Sequence, residues 1–92
     1  MATSTVKRIV NSPVYATEKK NLSTISGNYL QGSVTKSGYT PVGILGIDGT
    51  GISATNTIRL FYIDADGVAR VNLHETPTSG SYITATILYR QN

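Results

Sequence analysis

The chain has no cysteine and only one histidine, His74. The first absence excludes disulfides and every thiolate metal site; the second excludes a histidine cluster for a metal, so no cofactor is expected. No apolar run approaches the roughly 18 residues of a transmembrane helix, and membrane insertion is not expected. Charge is scarce too: charged residues make up 14%, against about 25% in ordinary soluble domains. Serine, threonine, glycine and tyrosine stand in their place, so solubility rests on hydroxyls and amides. The formal net charge is +3, and Lys7, Arg8, Lys19 and Lys20 form the one basic concentration. A continuous basic stripe interleaved with aromatics is missing, which argues against a nucleic-acid partner.

At 92 residues the chain makes one domain that buries about 60–65% of its unfolded surface, a thin margin for stability. Without disulfide or metal, association with further copies is the common remaining support for so small a core.

What is present is a succession of strand signals. Residues 5–10 suit a first strand, broken by Asn11-Ser12-Pro13. Val14–Thr17 reads as a short piece or loop, Glu18–Asn21 as a solvated turn, and Leu22–Ile25 as a brief strand. In Tyr29–Lys36, Gly32 marks a bulge or a close backbone approach. Gly38 to Asp48 is a long run of apolar and small residues. Its glycines and Pro41 rule out a helix, and it is expected to be a strand covered on both faces and central to the fold. Thr57–Ile63 and Val68–His74 flank Asp64-Ala65-Asp66-Gly67, a strong hairpin signal; both faces carry large apolar groups and are expected to be partly covered. Glu75–Gly80 is a loop. In the final strand, Ser81–Arg90, Ile83, Ala85 and Ile87 form the core face.

No helix emerges. The expected fold is all-β, a small antiparallel β-sandwich of jelly-roll type, with residues 1–21 as an N-terminal segment (strand or arm) and 22–92 as the sandwich.

The supply of catalytic groups is thin. His74 and Glu75 are adjacent on a strand and point to opposite faces, so they do not form a dyad. Ser33 lacks the flanking glycines of a nucleophile elbow. Asp64-Ala65-Asp66-Gly67 resembles the start of a calcium loop, but the twelfth position is reached only through an alternating strand, so a hairpin turn is the better reading. The glycines around Gly43 and Gly49 lack the Lys-Ser/Thr and helix of a phosphate loop. No catalytic or metal residue is assigned, and enzymatic activity is not expected. Tyrosine, by contrast, is plentiful. Its apolar ring and polar tip suit sugar stacking and protein interfaces, which makes Tyr15, Tyr29, Tyr39, Tyr62 and Tyr82 the candidate binding residues.

Gly32-Ser33-Val34, then Gly38-Tyr39-Thr40-Pro41-Val42-Gly43-Ile44-Leu45-Gly46, a tyrosine-bearing strand–turn–strand and a terminal Leu88-Tyr89-Arg90 follow one another here. In that order they resemble the small C-terminal β-domains of bacteriophage tail fibres and related virion structural proteins. The shared pattern is Gly-Tyr-x-Pro-[Ile/Val]-Gly and a terminal Leu-Tyr-basic. The likeness covers residues 22–92, and residues 1–21 match nothing in it. It implies a homotrimeric, non-enzymatic virion module that binds bacterial surface carbohydrate as a receptor-binding knob. The alternative it leaves open is a capsid or tail decoration protein that binds other virion proteins. The motif is structural and supplies no ligand residues. The chain opens on a methionine, lacks a secretion-signal pattern and leaves little room for a fibre shaft. The expectation is therefore a stand-alone virion protein or a fragment of a longer one.

Overall fold

The computed structural model describes residues 13–92, in which the strands form two antiparallel sheets packed as a sandwich, with no helix among the described residues. In chain order they are β1 (Tyr15–Leu22), β2 (Thr24–Ser26), β3 (Tyr29–Ser33), β4 (Tyr39–Gly51), β5 (Ile58–Ile63), β6 (Val68–Leu73) and β7 (Tyr82–Gln91). The first sheet has the order β1-β7-β4 and the second β2-β3-β6-β5. Residues 5–10, expected as a first strand, lie outside the described residues. The division expected between residues 21 and 22 falls within β1.

The core follows strand parity. On β7, Ile83, Ala85, Ile87 and Tyr89 are fully buried and alternate with the outward Thr84, Thr86 and Leu88. They meet Leu30 of β3 and Ala69, Val71 and Leu73 of β6, with Leu22 and Val34 closing the ends. Each fully buried Leu, Ile or Val side chain contributes about 1.5–3 kcal/mol relative to exposure. Tyr89 brings a hydroxyl into this core and satisfies it by donating to the Val34 carbonyl at 2.7 Å. Burial pushes its phenol pKa up, so the donor proton is retained. At Gly32 a Cβ would sit 3.3 Å from Leu22 Cδ2, and the pairing with β6 is regular. That glycine marks a close approach between the sheets.

Three expectations are corrected. The Gly38–Asp48 run is no central strand. As β4 it lies at the edge of the first sheet, and Val42 and Leu45 are 54% and 59% exposed. Its pairing with β7 shifts between Pro41 and Gly43, Ile44 and Gly46, and Ile47 and Gly49. An extra residue thus enters at every third position, and the extra residues Val42, Leu45 and Asp48 are turned out to solvent. Glu18–Asn21, expected as a turn, is strand: Glu18 pairs with Ile87 and Lys20 with Ala85. Their charges are tolerated on the core side because Glu18 meets Lys36 and Lys20 at 2.5 and 3.4 Å. The β5–β6 hairpin forms as expected but is covered on one face only, leaving Leu60 and Tyr62 exposed.

The turn of that hairpin is held by Asp64, whose Oδ1 accepts from the backbone N–H of Asp66 and Val68. Gly67 has a φ of 75°, and a Cβ there would come within 2.7 Å of Thr35 Cγ2, so glycine is required twice over. At the other end of the hairpin the buried Asn56 donates to the Glu75 carbonyl and accepts from the N–H groups of Thr57 and Glu75. It ties the segment before β5 to the segment after β6.

Candidate functional site

The outer face of the second sheet gathers side chains from four strands. Because Leu30 and Val71 point into the core, their neighbours Tyr29, Gln31, Arg70 and Asn72 point out. Registration builds two rows across the sheet. One runs Ser26–Tyr29–Asn72–Leu60 and the other Thr24–Gln31–Arg70–Tyr62. Tyr62 is 43% exposed at the edge of this face, and Tyr29 is half-buried on the other side of β6.

Arg70 is the hub. Its Nε donates to Asp64 Oδ2 at 2.8 Å and its Nη1 to Gln31 Oε1 at 2.5 Å. Contacts from two separate elements hold the planar guanidinium in one orientation between the tyrosine-bearing strands, which lowers the entropy cost of further bonding. Asp64 is held below its ordinary carboxyl pKa, first by the Val68 N–H and then by Arg70. It stays ionised, and its acceptors are already committed to the turn and to Arg70.

Of the tyrosines singled out from sequence, Tyr29 and Tyr62 are brought to this one face. Tyr15 and Tyr82 project from the outer face of the first sheet but at opposite ends. Tyr15 pairs with Arg90, and at about 3.4 Å per residue it lies about 27 Å from Tyr82 along β7. The Tyr82 ring covers Gly51, where a Cβ would approach it to 2.1 Å. Tyr39 is engaged internally: its ring meets Tyr89 edge-on at 6.5 Å, and Lys36 Nζ sits 5.0 Å above it. Arg70, Gln31 and Asn72 were not singled out from sequence. Their signal was available in the parity of Val71 and Leu73, which turns Arg70 and Asn72 outward. Gln31 joins them only through strand pairing.

A second surface is apolar. Val42 and Leu45 on β4 and Phe61 on β5 are exposed, and both strands are sheet edges on the same side of the sandwich. His74 and Glu75 form no dyad: His74 is held through its backbone by Thr57, and the Glu75 carboxylate accepts from Thr55. No cavity opens and no cluster of metal-ligating side chains occurs among the described residues. Comparison with protein-family models, curated proteins and solved structures finds no match to this chain.

Proposed function

We propose that this chain is a binding module of a bacteriophage particle, without enzymatic activity, that attaches to carbohydrate on the bacterial surface. The observation that carries the reading is the outer face of the second sheet, where Arg70 lies between Gln31 and Tyr62 in one row and Tyr29 stands beside Asn72 in the next. Ring faces beside fixed polar groups suit a sugar, which offers apolar C–H faces and a rim of hydroxyls. The likeness of Gly38–Gly46 and Leu88–Arg90 to tail-fibre domains supports the phage assignment. Weak sites of this kind gain strength by multivalency, which is the physical case for a homotrimer. Fluorescently labelled protein should bind host cells and elute as a trimer in light scattering. A monomer that binds no cells sinks the proposal.

A second reading has its own observation. The exposed Val42, Leu45 and Phe61 suit a protein partner better than a glycan. In that reading the chain decorates or stabilises a capsid or tail. Binding to particles depleted of this protein, with none to cells, would favour it.

A further inference from the structure

Building on that attachment role, we propose that the outer face of the second sheet is the glycan site and that its ligand is an acidic sugar. The sugar carboxylate sits on Arg70, and the pyranose ring lies over Tyr62.

The chemistry of the face is lopsided. A guanidinium has five N–H donors; Arg70 spends one on Asp64 and one on Gln31, and the other three have no partner among the described residues. Gln31 has its carbonyl oxygen occupied by Arg70, so its amide nitrogen is left as a donor. The one carboxylate nearby is mostly engaged: Asp64 Oδ1 takes two backbone N–H groups and Oδ2 takes Arg70. The centre of the face therefore offers more spare donors than spare acceptors. A neutral sugar hydroxyl needs both, whereas a carboxylate needs only donors and is recognised best by a fixed, planar fork. Tyr62 stands in register with Arg70 on the next strand, 43% exposed, and supplies the ring surface beside the charge. Asn72, one row along, adds an amide of both polarities for the hydroxyls. Arg70 does not depend on its ligand for orientation, because Asp64 and Gln31 already set it.

The test is calorimetric titration of the full chain with polygalacturonate, a carboxylated polysaccharide, alongside neutral dextran and dextran sulfate, which is anionic but has no carboxylate. Polygalacturonate is expected to bind and dextran to bind at least about tenfold more weakly. Tyr62→Ala, Arg70→Gln and Arg70→Lys should each cost roughly ten- to hundredfold in affinity, the last because it keeps the charge and loses the fork. Tyr82→Ala and Lys19→Gln, on the other sheet, should leave affinity unchanged. Tyr62 is exposed, so its variant tests the site even if an Arg70 variant fails to fold. Equal binding of dextran or dextran sulfate, or polygalacturonate binding that survives Tyr62→Ala, overturns the proposal. Failure of the attachment role looks different: the wild-type chain then binds no host cells. If wild type and Arg70→Gln bind cells equally, attachment stands and this site falls.

Discussion

Strands β4 and β7 are hydrogen-bonded to each other along most of their length, yet they obey different periods. On β7 every second residue is buried, from Ile83 to Tyr89. On β4 the inward positions Pro41, Ile44 and Ile47 recur every third residue, each opposite a buried residue of β7. The cause is what lies on either side. β7 has a partner strand at both edges and the second sheet over its inner face, so its alternation and its ladder with β1 are regular. β4 has a partner on one side only and can absorb an extra residue per step, which turns Val42, Leu45 and Asp48 outward. Such bulges also blunt a long edge that would otherwise template pairing with other chains. Apolar character alone therefore does not report burial; the residue's place in the ladder does.

The largest effect should come from testing that contrast directly. Ile87 and Ile44 face each other in the register, but Ile87 is fully buried and Ile44 only partly. Ile87→Ala is expected to cost about 2–5 kcal/mol in urea unfolding, and Ile44→Ala clearly less. Equal losses would erase the difference between the strands. Next comes the polar end of β7. Tyr89→Phe leaves the Val34 carbonyl without its donor in the core and should cost about 1–3 kcal/mol, with no counterpart on β4.

Acid sharpens the comparison from the β1 side. Glu18, opposite Ile87, has its pKa lowered chiefly by Lys36, and Asp64 has its pKa lowered by the turn N–H of Val68 and by Arg70. A depressed carboxylate stabilises above its unfolded pKa and loses that contribution as pH falls through the folded value. The melting temperature should accordingly drop below about pH 4, and Glu18→Gln should flatten the drop. The same pair acts oppositely in alkali. Lys36 is raised by Glu18, so its contribution fades only as pH rises above the ordinary lysine range.

The smaller effects lie on β4. Gly46 has a negative φ and open space where a Cβ would point, so Gly46→Ala should stabilise by about 0.4–1 kcal/mol. Loss of stability would show that some contact outside the monomer needs the bare backbone. Leu45→Ser should leave unfolding within about 0.5 kcal/mol. Its readout is association by light scattering, which it should weaken if the apolar edge joins copies.

Much of the local structure was legible in residues 57–74 and 81–90. The Asp64–Gly67 turn and the parity of Val71, Leu73, Ile83 and Ile87 are set by chemistry within a few residues. The candidate site was legible only in part. Tyr62 and Tyr29 stand out as aromatic, but nothing local to Gln31 says that it will hold a guanidinium on β6. Charged residues in succession read as a turn at Glu18–Asn21 because their partner, Lys36, is remote in sequence.

By itself, then, the sequence determined that this protein is all-β, holds its core without disulfide or thiolate metal site, turns at Gly67 and buries the odd-numbered face of its last strand. Each of these follows from composition or from side-chain alternation over a few residues. Which strand lies at the centre, that the Gly38–Asp48 run becomes a bulged edge, and that Gln31, Arg70 and Tyr62 share one row were decided by the tertiary structure alone. Strand partners are chosen by pairing between distant segments, and one added residue in a ladder reverses which side chains face the core.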